Sequence, residues 1–182
     1  TLTKAQAQWL LDLETGFVSS GYNDVRIPGD SGTDFSLSKD LQSGSSLFFR
    51  FRLGYQFHPR QTISLLAAPL TIHASGNVNK PIIFFEEKFS ANIPLKALYR
   101  FNSYRLTYRY DLVQAKSWKF GLGLTAKIRD AAIRLEGNNK SSEKKNVGFV
   151  PLINFRVEWL FSPKISFLLE GDALAAPQGR AE

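Results

Sequence analysis

The feature that most constrains the fold is an alternation of apolar and polar residues, which is clearest over residues 46–58. One parity holds Leu47, Phe49, Phe51, Leu53, Tyr55 and Phe57, and the other holds Ser46, Phe48, Arg50, Arg52, Gly54, Gln56 and His58. Successive side chains of a β-strand point to opposite faces, whereas a helix would mix the two sets. The segment therefore predicts a strand with one apolar face and one polar face.

The same alternation predicts seven strands. They cover residues 8–20, 45–58, 61–76, 95–113, 117–136, 146–161 and 164–176. Pro69 interrupts the third strand and favours a bulge there, because proline cannot donate to the ladder. The apolar residues change parity near Asn102 and Ser103, which predicts a β-bulge, and a similar phase change occurs near Asp130 and Ala131.

Short and long connections alternate along the chain. The short ones lie at residues 58–61, 114–117 and 162–164, and the long polar ones at 21–44, 77–94 and 137–145. This pattern predicts one all-β domain over residues 1–182, an antiparallel up-and-down transmembrane β-barrel with all its long loops at one end. Single-chain bacterial barrels have even strand numbers, so we expect about eight strands, the last missing from this sequence.

Composition excludes several classes of protein. The chain has a net charge of +7 and no cysteine, so it has no disulfide and no thiolate site. No apolar run approaches the ~18 residues of a transmembrane helix. The N-terminus lacks the pattern of a signal peptide, and we expect that one has already been removed. Two distant histidines give no metal site, and no cofactor motif is present; the basic charge alternates within strands, so nucleic acid is not expected as a partner.

The placement of aromatic and charged residues predicts which face points inward. Aromatic residues gather at the short-turn strand ends, as in an interfacial girdle: Trp9, Tyr55, Phe57, Tyr108, Tyr110, Trp118, Phe120, Trp159 and Phe161. The opposite face carries Asp12, Glu14, Arg50, Arg52, Arg105, Arg109, Asp111, Lys119, Lys127, Arg129, Arg156, Glu158, Glu170 and Asp172. We predict that these charges pair in a narrow lumen. The alternative is a soluble lipocalin-like barrel with the apolar face inside.

This architecture resembles the small outer-membrane barrels of the OmpA, OmpX and OmpW type. The alternating turns and loops, the aromatic rim, the charged lumen and the strand-like stretch at residues 99–110 carry the resemblance. Such barrels usually end in an aromatic residue, whereas this chain ends in Glu182. The resemblance implies a monomer in a Gram-negative outer membrane. It also implies insertion by barrel-assembly machinery and contact with membrane lipid and lipopolysaccharide.

One short motif raises an enzymatic alternative. His73 and Ser75 share a strand face, and Glu86 or Glu87 could orient the histidine. The arrangement is similar to that of outer-membrane lipid A deacylases, although Gly76 stands where that family has asparagine. We predict instead a non-enzymatic barrel with an envelope or surface-interaction role. The alternatives are a narrow channel for small or apolar solutes, a lipid A-modifying hydrolase and a soluble carrier.

Overall fold

The computed structural model describes residues 7–174, which fold almost entirely as β-strands. The strands are β1 (Gln8–Val18), β2 (Asp24–Val25), β3 (Phe35–Ser36), β4 (Gln42–Ser43), β5 (Ser46–His58), β6 (Gln61–Ala68), β7 (Thr71–Asn77), β8 (Ile82–Phe84), β9 (Glu87–Phe89), β10 (Pro94–Gln114), β11 (Trp118–Gly137), β12 (Lys140–Ser162) and β13 (Ile165–Ala173). A 3-10 turn lies at Gly29–Ser31. No helix within residues 7–174 is long and apolar enough to cross a membrane.

The long strands form one antiparallel sheet that curls into a half-barrel. Its order is β1-β5-β6-β10-β11-β12-β13, while β7 continues β6 along β10 and β4 pairs with β7. The predicted all-β class and antiparallel pairing of sequence neighbours are therefore confirmed. Within residues 7–174, β1 and β13 are the two ends of this order, and both run from the short-turn end towards the long-loop end. The predicted extension of the last strand to residue 176 lies partly outside the described residues.

The third predicted long loop is wrong, because residues 137–145 belong to a tight hairpin. β12 begins at Lys140, directly after a turn at Asn138 and Asn139 whose φ angles are 50° and 60°. Two successive residues with positive φ are typical of a two-residue hairpin turn, and asparagine tolerates that conformation. The strands β10, β11 and β12 thus reach 21, 20 and 23 residues, well beyond the other strands of the sheet.

The predicted bulge near Asn102 and Ser103 is also wrong. Asn102 pairs with Asp130 and Ser103 with Arg129 in an uninterrupted ladder, and the register of Asp130 and its neighbours with β12 is equally continuous. The concave face itself changes, from charged near the short turns to apolar near the long loops. Apolar residues therefore change parity without an inserted residue. Register shifts do occur near the short turns, between Gln56 and His58, Asp111 and Val113, and Leu160 and Ser162.

Pro69 interrupts a strand without adding a residue to it. Ala68 pairs with Ser103 and Thr71 pairs with Arg100, so β6 and β7 keep one register against β10. The bulge predicted there is absent, and Pro69 and Leu70 leave the regular strand instead.

The first two long loops, predicted to be polar, fold together into a compact cap, which we define as residues 21–44 and 78–93. Backbone hydrogen bonds join the loops, from Thr33 N to Ile83 O and from Phe85 N to Ile27 O, both at 2.9 Å. Their apolar residues form a core with the ends of the long strands. The core contains Val25, Phe35, Leu37, Leu41, Ala74, Val78, Ile82, Phe84, Phe89, Leu95, Ala97 and Leu135. The cap therefore covers the long-loop end of the concave face.

Candidate functional site

The convex face carries a band of exposed apolar side chains. Its members on β11 and β12 run from the Trp118–Trp159 pair to the Ile128–Phe149 pair, and Leu124 at mid-height is 70% exposed. Residues 118–128 of one strand span a height of ~25 Å at the usual tilt, which matches the apolar band of an outer-membrane barrel. The structure thus places the apolar parity of these strands on the convex face of the half-barrel.

Aromatic residues border this band at the short-turn end, as predicted. Trp9 and Tyr55 lie with ring centroids 4.6 Å apart, and Trp159 and Phe161 lie 5.2 Å apart. Trp118 pairs in register with Trp159 on the neighbouring strand. These rings belong to both halves of the sheet and lie at the short-turn border of the apolar band.

The opposite border of the band is polar. Beyond Ile128 the convex face of β11 and β12 carries ion pairs, including Arg134–Glu143 at 3.2 Å and Lys145–Glu143 at 3.1 Å. Desolvation alone would raise the pKa of Glu143, but hydrogen bonds from Lys145 and Arg134 lower the pKa of this carboxyl below its ordinary value. The convex surface therefore changes from apolar to ionic along the same strands.

Glu170 is the centre of a charge network on the concave face. Its carboxylate lies 2.7 Å from Arg52 and 3.3 Å from Arg109, and Arg156 lies 3.9 Å away. Arg52 belongs to β5 and Arg109 to β10, whereas Glu170 lies on the edge strand β13. Because these strands are not neighbours, the pairs tie the two sides of the curled sheet across its concave face.

Asp172 is a second anchor on the same strand. It accepts hydrogen bonds from Arg105 at 2.6 Å, Thr125 at 2.7 Å and Asn154 at 2.9 Å. Thr125 donates its only hydroxyl proton to Asp172. Thr107 must therefore donate the 2.8 Å hydrogen bond that joins the two threonines. Thr125 and Asn154 are missing from the predicted network because they carry no charge, although their parity places them on this face.

The other predicted lumen charges lie around these two anchors. Lys119 and Arg156 pair with Glu158 at 3.4 and 3.3 Å, and Arg109 contacts Asp111 at 3.5 Å. Lys127 lies 5.8 Å from the ring centroid of Phe101, Arg129 donates to Asn146 at 3.3 Å, and Glu14 pairs with Arg50 at 3.0 Å. Asp12, exposed on the edge strand β1, has no ion pair within residues 7–174.

A cavity of about 250 Å³ lies at the short-turn end of the concave face. Its polar lining includes Gln56, Arg109, Asp111, Lys119 and Glu158. Most of these side chains already hold partners within the network. The interior is thus polar near the short turns and filled by apolar residues of the cap near the long loops.

The weak catalytic candidates do not come together. His73 and Ser75 lie on the convex side of β7, in a shallow depression with Lys96, which is the register partner of Ser75. Glu87 lies on β9 and forms an ion pair with Lys140 at 2.8 Å. Among the described residues, no hydrogen bond joins His73 to Ser75 or to Glu87. The geometry therefore offers no assembled nucleophile and base.

Comparison with known proteins adds no relative. No family model, curated protein or solved structure matches this chain. Within residues 7–174, no group of three or more acidic, histidine or cysteine side chains is arranged to hold a metal ion. Function must therefore be inferred from the two faces of the sheet and from the cap.

Proposed function

We propose that this protein is a monomeric, integral outer-membrane β-barrel with a non-enzymatic envelope or surface-interaction role. The observation that carries the proposal is the exposed apolar band on the convex face, opposite a paired charge network. A soluble barrel needs the reverse arrangement, with its apolar residues inside. Soluble monomers also rarely expose a continuous apolar patch of more than a few hundred Å².

The same arrangement supports an orientation in the membrane. Aromatic residues mark the short-turn border of the band, and ion pairs such as Arg134–Glu143 mark the other border. Long loops of outer-membrane barrels are extracellular. The folded cap would then stand at the cell surface, where its side chains meet lipopolysaccharide and external partners. The apolar core beneath the cap would close the interior against free passage of water and ions.

Membrane extraction tests the location. We expect the protein, produced in a Gram-negative host with an export signal, to remain in the outer-membrane fraction until detergent is added. Its gel mobility should change on boiling, because a folded barrel is compact. In planar bilayers we expect little or no conductance. Recovery of folded protein in the soluble fraction without detergent would contradict the proposal.

A pair of arginine substitutions tests the band directly. Leu124 is 70% exposed and Tyr22, in the cap, is 73% exposed, so water alone would tolerate arginine at either site. Lipid does not tolerate arginine, so Leu124→Arg should destabilise the inserted protein by ~2–4 kcal/mol. Tyr22→Arg, in the cap, should have little effect. Urea-induced unfolding from lipid vesicles measures both. Equal tolerance of the two substitutions would argue against a lipid-facing band.

A further inference from the structure

The sheet that forms the wall of the half-barrel has a gap between β5 and β6. The β5–β6 ladder reaches the pair Phe51–Ala67 and stops there. Continuing that register would place Pro69 opposite Phe49, but neither residue has a partner across this boundary. Beyond Pro69, β7 pairs with β10 and β4 instead of β5. We call the resulting opening, bounded by residues 46–50 and 68–70, the seam.

The chemistry of Pro69 explains why the ladder stops. The carbonyl oxygen of Leu70 accepts a hydrogen bond from Phe101 N at 2.8 Å, so the backbone polar groups of Leu70 point to β10. Backbone groups of successive strand residues point to opposite sides, and those of Pro69 must therefore point to β5. Proline has no N–H to donate there. Pro69 thus removes a donor from the next rung of the β5–β6 ladder.

A cavity of about 400 Å³ lies at the seam and is lined by residues of both faces of the sheet. Its volume falls within the ~300–1,000 Å³ of small-molecule pockets. Five apolar residues of the concave face line it: Val18, Phe48, Ala68, Leu70 and Phe101. Phe17, Phe49 and Pro69 of the convex band line its outer part. The apolar surface is therefore continuous from the band into the interior.

Ser103 and two arginines complete the lining on the concave side. Arg50 and Arg105 both border the cavity. Arg105 is held by Asp172 at 2.6 Å, whereas the Arg50–Glu14 pair leaves 38% and 50% of the two side chains exposed. An anion can therefore approach Arg50 more easily than Arg105. Apolar walls that lead to an accessible guanidinium suit a ligand with one alkyl chain and one carboxylate.

We propose that the seam binds a long-chain fatty acid, with its carboxylate at Arg50 and its chain along the apolar walls towards the bilayer. The inference rests on the proposed membrane location, because only then does the outer opening face lipid. It does not require conduction through the interior, which the cap core covers.

Photolabelling tests this proposal. The probe is a fatty acid with a diazirine near the middle of its chain, applied to the folded protein in detergent and in phosphatidylcholine vesicles. Mass spectrometry should place adducts on residues 48–49, 68–70 and 101, and unlabelled palmitate should compete. Ala68→Phe fills the cavity and should lower labelling about tenfold, the change that a loss of ~1.4 kcal/mol in affinity produces. Ala67→Phe, one residue away on the convex face, is the matched control and should label normally.

Three results would overturn the proposal. Adducts spread evenly over the band, including Leu124, would mean ordinary lipid contact. Equal labelling by a diazirine phosphatidylcholine would identify a membrane-lipid chain as the occupant. Unchanged labelling of Arg50→Gln would remove the role of the carboxylate. The experiment in detergent keeps this test separate from the proposed function. The protein can fail the membrane-extraction test while the seam still binds the probe, and it can pass that test while the seam binds nothing.

Discussion

Glu170→Gln should destabilise the folded protein by ~3–5 kcal/mol, because removal of one partner from a largely buried ion pair leaves uncompensated charge. Glutamine keeps the volume of glutamate and removes only the negative charge. Arg52 and Arg109, now 2.7 and 3.3 Å from that carboxylate, would then face each other without it. The side chain of Arg109 is only 8% exposed, so water can replace little of the lost interaction. Urea-induced unfolding from lipid vesicles gives the change in free energy.

The matched control is Glu14→Gln on the opposite edge strand. The Arg50–Glu14 pair has a similar length, 3.0 Å, but its side chains are 38% and 50% exposed. Exposed pairs contribute ~0–1 kcal/mol, so this variant should lose little stability. Adding Arg52→Met to Glu170→Gln should recover part of the loss, because within residues 7–174 the ion pair of Arg52 is with Glu170 and this second change removes the charge left unmatched. Equal losses at Glu170 and Glu14 would contradict a network that ties the sheet across its concave face.

The sequence was sufficient to predict the long strands of the sheet and, outside the segment 95–101, the face that their side chains take. Period-2 alternation depends only on local backbone geometry, so the segment around Leu53 predicted its own orientation. Local backbone geometry does not determine which other part of the chain packs against a given face of the sheet. Leu95 and Ala97 share their parity with Arg105, yet they meet the cap core instead of the charge network. A face that changes from a polar to an apolar environment along a strand produces the same sequence pattern as a β-bulge. The bulge predicted at Asn102 was wrong for that reason.

The partners of the charges could not be predicted either. Alternation placed Arg52 and Glu170 on one face, but their pairing, 118 residues apart, depends on the curvature of the whole sheet. The cap was missed because the apolar side chains of its two segments, residues 21–44 and 78–93, follow no single period. One missed signal was available: the Asn138–Asn139 pair is typical of a tight hairpin turn and could have indicated that β11 and β12 continue beyond the apolar band.

Phe84→Ala should open the cap while the barrel wall stays folded. Phe84 is fully buried in the cap core, and truncation of a buried phenylalanine costs ~3–5 kcal/mol through lost burial and the cavity left behind. The cap is joined to the wall by this core, by the short β4–β7 ladder and by the Lys140–Glu87 ion pair, whereas the wall has its own long ladders and ion pairs. Trypsin should therefore cleave the variant rapidly at cap residues such as Arg26 and Lys39. The heat-dependent gel mobility of the remaining barrel should persist.

Ile83→Ala is the control, since Ile83 is the preceding residue of the same short strand but is 41% exposed. Its truncation should leave cleavage at Arg26 and Lys39 near the unmodified rate. If Phe84→Ala instead abolishes the mobility shift as well, the cap and the wall unfold as one cooperative unit. The apolar ends of β10 and β11 would then depend on the cap for their burial. If trypsin spares both variants, the cap owes its order to the backbone bonds between its loops, such as Thr33 to Ile83, rather than to its apolar core.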